Sequence, residues 1–289
     1  MDLMVIYGIE ILNAIATLIV MSLGLAVVFG MMKIVNMAHG EFMMLGGYVA
    51  ILATNQAGIP IWISMLVLAP LAVGVFGILV ERLIIRNLYG RMIDTMLATW
   101  GLSLAMIGTA TMVFGNTTLG ISSPLGGVSI GRFSTSGYAL FTIAFSLVLI
   151  AALWCLLKFT AIGLCARATM QNARMAAALG SNPGKIYSLT FGLGAALSGL
   201  GGALLAPITG VIPTIGISFI AKAFITVIGG GNAIIAGTLS ASSLFGAISQ
   251  LVTFLSTPVF GAVALLLCAI VLLRLLPQGI TGRFFRRSL

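Results

Sequence analysis

Long apolar segments, each close to the length of a bilayer crossing, follow one another along almost the whole chain. Hydrophobic residues make up 60% of the 289 residues and charged residues only 7%, whereas an ordinary soluble domain is about a quarter charged. Because one crossing takes roughly 20 apolar residues, this length accommodates about eight or nine spans and little else. The sequence therefore predicts a membrane protein and excludes a soluble one.

The apolar segments are predicted to be helices, because a helix satisfies its own backbone hydrogen bonds within lipid and the alternation typical of strands is absent. The predicted spans are 11–32, 40–56, 60–81, 94–114, 138–158, 187–209, 216–228, 233–256 and 259–276. The segment 216–228 is too short to cross about 30 Å of hydrocarbon, which favours a half-helix. The predicted fold class is all-α, a single polytopic bundle over residues 1–289.

Basic residues indicate the orientation of the chain. With the N-terminus outside, nearly all of them fall in inner segments, as the positive-inside rule requires. These are Lys33, Arg82, Arg86, Arg91, Lys158, Arg167, Arg174, Lys185, Arg274, Arg283, Arg286 and Arg287. Arg132 falls in the outer stretch 115–137, whose Gly and Ser content predicts a solvated loop. The C-terminus is therefore expected in the cytoplasm.

The first ten residues contain two acids and no base, so we expect a retained first span rather than a cleaved signal peptide.

The formal net charge of +9 does not indicate nucleic-acid binding, because the basic residues lie between apolar runs instead of forming one solvated patch. They are better explained as topology signals and as contacts with anionic lipid headgroups. Lys222 is different, since it lies within the segment 216–228. An unpaired charge there costs a few kcal/mol in lipid, which makes it a marked position.

The residues needed for catalysis are nearly absent. The chain has one histidine and five acids, and the acids are dispersed along it. No nucleophile lies beside a base, and Cys155, Cys165 and Cys268 have neither paired nor metal-ligand spacing. The sequence therefore predicts neither an enzyme nor a metal or cofactor site.

Two polar breaks precede Gly-rich apolar runs, one at 34–47 and one at 229–237. Transporters often place interrupted helices at corresponding positions around a substrate path. One interpretation is that the polar side chains only end and restart helices. The other is that they line the path or its inner gate. The residues assigned to the path on the second interpretation are Asn36, His39, Glu41, Gly229, Gly230 and Asn232.

The inner segment 160–186 is long, basic and relatively polar. Its stretch ATMQNARMAAALG predicts one short helix that ends at Gly180, before Asn182 and Pro183. The segment is either a simple connector or a helix that docks in a groove of a partner, and its exposed Ala-rich composition favours docking.

Several segments together carry a family resemblance. They are GLAVVFGMMKIVNMAHGEFMMLGGY at 24–48, Glu81-Arg82, GLCARATMQNARMAAALGSNPGKIYSLTFGLGAALSGLGGALLAP at 163–207, KAFITVIGGGNAIIAG at 222–237 and LLPQGITGR at 275–283. In these segments the chain resembles the permease subunits of branched-chain amino acid ABC importers, a family that includes carriers of urea and short amides. The resemblance covers most of the chain.

The resemblance implies a transport subunit of the bacterial inner membrane that hydrolyses no ATP itself. It implies a second homologous permease chain, two cytoplasmic ATPase subunits and a periplasmic substrate-binding protein as partners. The AHGE and GGGN segments would belong to the permease core, and 165–182 would couple to the ATPase. The coupling residues assigned by the resemblance are Arg167, Arg174, Ala177, Leu179 and Gly180.

The chain departs from the family pattern at Met37, Asn232-Ala233 and Leu276-Pro277. The stretch 88–104 is closer to the urea-type relatives, so urea or short amides remain an alternative to branched-chain and other hydrophobic amino acids. An alternative of another class is an ATP-independent channel or ion-coupled transporter, which usually carries intramembrane acids. Glu41 is the one residue that favours it.

Overall fold

The computed structural model describes residues 2–130, 133–231 and 233–284. Within these ranges, seven helices are long and apolar enough to cross a membrane. They are Leu3–Met32, Ile61–Leu83, Met92–Phe114, Gly137–Phe159, Pro183–Thr209, Ile234–Leu255 and Pro258–Gly282. The predicted all-α membrane bundle is confirmed.

The helices and strands follow one another with short connections. The α-helices are α1 (Asp2–Met32), α2 (His39–Asn55), α3 (Ile61–Ile63), α4 (Ala69–Leu83), α5 (Met92–Phe114), α6 (Gly137–Phe159), α7 (Ala161–Gln171), α8 (Ala173–Ala178), α9 (Pro183–Thr209), α10 (Ile215–Gly230), α11 (Ile234–Leu255), α12 (Pro258–Leu275) and α13 (Gly279–Phe284). A π-helical turn, Ser64–Leu68, joins α3 to α4, and a 3-10 turn, Ile85–Leu88, follows α4. The strands are β1 (Gly127–Ile130) and β2 (Phe133–Ser136).

Each predicted span lies on a helix of the structure. The helices α2 and α10 have 17 and 16 residues and are therefore only about 25 Å long. The short helix predicted at 216–228 is confirmed as α10. The largest boundary difference is at α1, which begins at Asp2 instead of residue 11 because the apolar residues before Glu10 continue the same helix.

The segment 115–137, predicted to be a solvated loop, contains a β-hairpin. β1 and β2 pair antiparallel, with Gly127 opposite Ser136 and Val128 opposite Thr135. Strands of four residues are too short to be recognised by a search for apolar segments of membrane-spanning length. The β-branched residues at alternate positions nevertheless favour a strand. Arg132 lies outside the described residues.

The packing divides the chain into two compact units, each made of separate stretches of sequence. The first comprises Met1–Ser22, Ser122–Ile150 and Lys222–Leu289. The second comprises Leu23–Ile121 and Ala151–Ala221. That the whole of 1–289 acts as one permease domain stays a prediction.

In the second unit, α9 is the central helix and packs mainly against α2 and α4. Small residues let the backbones approach. A β-carbon on Gly202 of α9 would overlap the carbonyl group of Met43, and one on Gly46 would overlap that of Gly199. Phe42 fills the space beside them, edge-on to Phe76 and Phe191 at ring-centroid distances of 5.7 and 6.0 Å.

In the first unit, α11 packs against α12 and against the N-terminal part of α1. A β-carbon on Gly246 of α11 would lie 2.9 Å from the backbone of Ile15, and one on Gly261 of α12 would lie 2.6 Å from the carbonyl oxygen of Ser249. The rings of Tyr7 and Phe254 pack against each other, with their centroids 4.4 Å apart and their planes tilted by 33°. Close helix contacts at small residues are the usual means of association within membranes.

Candidate functional site

The chain turns sharply between α1 and α2. Lys33 has a φ of 55° and ends α1. The Asn36 side chain is buried, and its Oδ1 accepts a hydrogen bond from the backbone N–H of Ala38 at 3.0 Å. The backbone N–H of Met37 donates to Thr99 Oγ1 of α5 at 3.1 Å. These bonds satisfy backbone groups that the helix break would otherwise leave unpaired in lipid.

His39, the first residue of α2, is 1% exposed and faces α9. Its Nδ1 lies 2.9 Å from Ser198 Oγ, and the same hydroxyl donates to the carbonyl oxygen of Gly194 at 2.8 Å. Because a hydroxyl has a single proton, Ser198 accepts from His39 when it donates to Gly194. This hydrogen bond joins α2 to α9 and fixes the ring of His39.

Glu41 lies two residues further along α2 and is also 1% exposed. Ser103 of α5 donates a hydrogen bond to its carboxylate. The second oxygen, Oε2, has no hydrogen-bond partner among the described residues. Oε1 lies close to Gly216 of α10, where a β-carbon would meet it at 2.8 Å. A buried acceptor without a donor is costly, which marks Glu41 within the cluster.

Thr95, Thr99 and Ser103 form a polar stripe on α5, at every fourth residue, and all three are buried. Thr99 and Ser103 contact the start of α2 as described above. The sequence analysis missed this stripe, because it considered only the mean hydropathy of the segment. The spacing of the hydroxyl residues was the available signal.

The structure brings Asn36, His39 and Glu41 together in the second unit, whereas Gly229 and Gly230 belong to the first. A β-carbon on Gly229 would lie 2.8 Å from the ring of Phe245, and one on Gly230 would lie 2.5 Å from Gly237. Thr281 of α13 donates to the carbonyl oxygen of Gly230 at 2.6 Å. The glycines thus allow α10 to approach α11 closely. Asn232 lies outside the described residues.

Side chains cap the helices of the segment 160–186. Thr160, Asn172 and Asn182 precede α7, α8 and α9. Each accepts a hydrogen bond from a backbone N–H three residues later, at 3.0 to 3.1 Å. Such caps each stabilise a helix start by about 1 kcal/mol. The predicted single helix is wrong, because Asn172 interrupts it and begins a second one.

The predicted stop at Gly180 is confirmed. Gly180 has a φ of 91°, its N–H bonds to the carbonyl of Ala177, and the N–H of Ser181 bonds to that of Ala176. This pair of bonds is the Schellman arrangement, which favours glycine at this position. Ser181 also contacts Cys165 of α7, at 3.8 Å between Oγ and Sγ.

The residues assigned to coupling differ in exposure. Leu179 is 80% exposed, and Arg174, Ala177 and Gly180 are exposed as well. Arg167 is half-buried, and its Nε donates to the carbonyl oxygen of Gly163 at 3.4 Å. The structure therefore leaves most of α8 and its C-terminal turn exposed, whereas Arg167 makes a hydrogen bond within α7.

Sequence analysis also missed a polar contact at the C-terminal end of α4. Glu81 is fully buried, and Tyr89 donates a hydrogen bond to its carboxylate. Burial and this neighbouring carboxylate raise the pKa of the Tyr89 hydroxyl, which keeps it a hydrogen-bond donor. Tyr187 of α9 packs on Tyr89 at 4.9 Å between ring centroids.

Comparison with known proteins places these elements in a family. The family model described as the permease component of a branched-chain amino acid transport system matches residues 7–276. The chain is 28% identical over 284 residues to the high-affinity branched-chain amino acid transport system permease protein LivH of Escherichia coli K12, covering 93% of this chain and 92% of LivH.

Two further relatives come from other organisms. The chain is 30% identical over 298 residues to BraD of Pseudomonas aeruginosa, a permease of the same description, covering 93% and 92% of the two chains. It is 27% identical over 282 residues to the probable LivH of Methanocaldococcus jannaschii, covering 92% and 88%. No solved structure gives a significant match. Since the family model spans nearly the whole chain, the protein belongs to the permease component family of branched-chain amino acid transport systems.

Proposed function

We propose that this chain is the translocating permease subunit of an ATP-driven importer of branched-chain amino acids in the inner membrane of a bacterial cell. The observation that carries the proposal is the family match over residues 7–276. On this proposal a second homologous permease completes the pore, two ATPase subunits bind at the cytoplasmic side and a periplasmic protein delivers the substrate.

The coupling part of the proposal is supported by the shape of the inner segment. The helix α8 is short, capped at its start by Asn172 and closed by Gly180, and it exposes Leu179 and Met175. An ordered helix with exposed apolar side chains fits a groove on a partner. ATP binding in the partner would shift α7 and α8, and the permease would alternate between outward and inward openings.

We assign an inner gate to the start of α2. The chain leaves α1 at Met32 and begins α2 at His39, and it leaves α10 at Gly230 and begins α11 at Ile234. Transporters often place interrupted helices around a substrate path. The buried Glu41, with one unpaired oxygen, supplies a group that can exchange partners when the helices move. The closed packing around His39 fits a gate that excludes water.

The two alternative functions differ from the proposed one in substrate or in partners. A urea or short-amide carrier uses the same partners but a neutral substrate. A channel or ion-coupled transporter needs no ATPase. The relatives named for branched-chain amino acids favour the first proposal over both.

Uptake of labelled leucine and labelled urea tests the proposal. Cells with and without this chain are compared, with the partner ATPase active or inactivated at its catalytic residue. We expect leucine uptake that requires both the chain and the active ATPase. Urea uptake alone would select the urea carrier, and uptake that survives ATPase inactivation would select the channel or ion-coupled class.

Copurification tests the coupling segment. Leu179→Glu places a charge on the exposed surface without disturbing the fold, so we expect loss of the bound ATPase subunits. Leu125→Glu is the matched control, because Leu125 is also exposed but belongs to the outer segment 115–137. Equal ATPase recovery from the two variants would contradict docking at α8.

A further inference from the structure

A cavity of about 190 Å³ lies within the first unit, between α1, α10, α11 and α12. Its polar lining includes Thr17, Lys222, Ser249 and Gln250, and its apolar lining includes Leu18 and Leu265. A cavity of about 150 Å³ accommodates benzene, so this one has room for a small molecule the size of leucine.

The cavity does not result from loose packing, because its helices touch on both sides of it. Gly246 lets α11 approach α1 at Ile15, and Gly261 lets α12 approach α11 at Ser249. The polar side chains therefore line a space that close helix contacts hold open.

Lys222 is near the middle of α10, the 16-residue helix Ile215–Gly230. Among the described residues, its ammonium group has no ion pair and no hydrogen bond, and no acid lines the cavity. A charged group within a membrane helix is costly unless it has a partner of opposite charge. A ligand that carries a negative charge would supply that partner.

We propose that this cavity binds the transported amino acid, with its carboxylate on Lys222. The hydroxyl groups of Thr17 and Ser249 and the amide oxygen of Gln250 accept hydrogen bonds from the substrate ammonium group, and Leu18 and Leu265 contact its aliphatic chain. The inference rests on the proposed importer function. It also selects between the proposed substrates, because urea has no carboxylate and gives Lys222 no counter-charge.

Transport by the complete transporter, reconstituted in proteoliposomes with its ATPase and binding protein, tests the proposal. Lys222→Met removes the charge and keeps much of the side-chain length, whereas Lys222→Arg keeps the charge. We expect leucine uptake to fall at least about tenfold in the Met variant, as for the loss of a charged hydrogen bond, and to be largely retained in the Arg variant.

Lys158→Met is the matched control, because Lys158 lies at the end of α6 against Trp154 and does not line the cavity. Its leucine uptake should equal that of the unmodified protein. Copurification of the ATPase subunits with each variant shows that the complexes assemble.

Labelling of the unmodified protein gives an independent readout. Saturating leucine should slow the modification of Lys222 by a small amine-reactive reagent, as measured by mass spectrometry, whereas leucinamide, which lacks the carboxylate, should not. If the unmodified protein imports leucine but Lys222→Met imports it equally well, or if leucine gives no protection, the cavity assignment is wrong and the importer function stands. If the unmodified protein imports no leucine, the proposed function fails as well.

Discussion

The start of α2 and the cavity beside α10 both place polar side chains among apolar helices, but the two regions differ in whether these side chains have partners. Around α2, Asn36, His39 and Glu41 are buried and hydrogen-bonded to their own turn or to neighbouring helices. Lys222, by contrast, is exposed and lines the cavity, and it has no ion pair among the described residues. A polar residue in a membrane helix is therefore weak evidence for a substrate contact until its partners are known.

The largest effect is expected where the helix contact around α2 is closest. Gly202→Val would force a side chain against the carbonyl group of Met43, and overpacking of this kind costs about 3 kcal/mol or more. We expect little folded protein by size-exclusion chromatography in detergent. Gly101→Val is the matched control, because a β-carbon on Gly101 meets no atom within 4 Å. Equal yields of the two variants would contradict the close packing.

A smaller effect is expected from the hydrogen bond between His39 and Ser198. Combining His39→Ala with Ser198→Ala in a double-mutant cycle should give an interaction free energy of about 1 kcal/mol, as for other hydrogen bonds between membrane helices. Thermal unfolding in detergent measures it. Strictly additive effects would mean that the two side chains do not interact.

The variant Glu41→Gln tests the effects on stability and on transport separately at the start of α2. The amide keeps an oxygen that Ser103 can bond, so the free energy of unfolding should change by less than about 1 kcal/mol. Leucine uptake per folded molecule should fall by at least about fivefold if the unpaired oxygen acts in the gate. Unchanged uptake would leave the cluster a purely structural role.

The smallest effect on stability is expected in the cavity. Ser249→Ala should change the free energy of unfolding by no more than about 0.5 kcal/mol, because no described hydrogen bond depends on the Ser249 hydroxyl. The same change should weaken leucine uptake. A large loss of stability without a transport defect would assign Ser249 to packing instead.

The sequence predicted the helices well, because a bilayer requires apolar segments of a fixed length and those segments are visible one by one. It also predicted the stop at Gly180, where one residue type favours a left-handed turn. The sequence did not predict two short features. Asn172 divides the helix predicted within the segment 160–186, and the hairpin Gly127–Ile130 and Phe133–Ser136 has only four residues in each strand.

The sites were harder to predict than the helices, because their residues meet only after folding. Asn36, His39 and Glu41 are close in sequence and were identified, but their partners Ser198, Thr99 and Ser103 come from distant helices. The cavity combines residues from four helices, of which the sequence marked only Lys222, through the cost of a charge in lipid.

Cysteine accessibility tests most directly whether the cavity is open and the start of α2 is closed. In a protein whose three native cysteines are replaced, Ser249→Cys and Ser198→Cys are treated with a small negatively charged thiol reagent in open membrane fragments without ATP. We predict that the cysteine at 249 reacts, that leucine slows its reaction, and that the cysteine at 198 stays unmodified. Equal reaction at both positions, or no reaction at 249, would contradict the account.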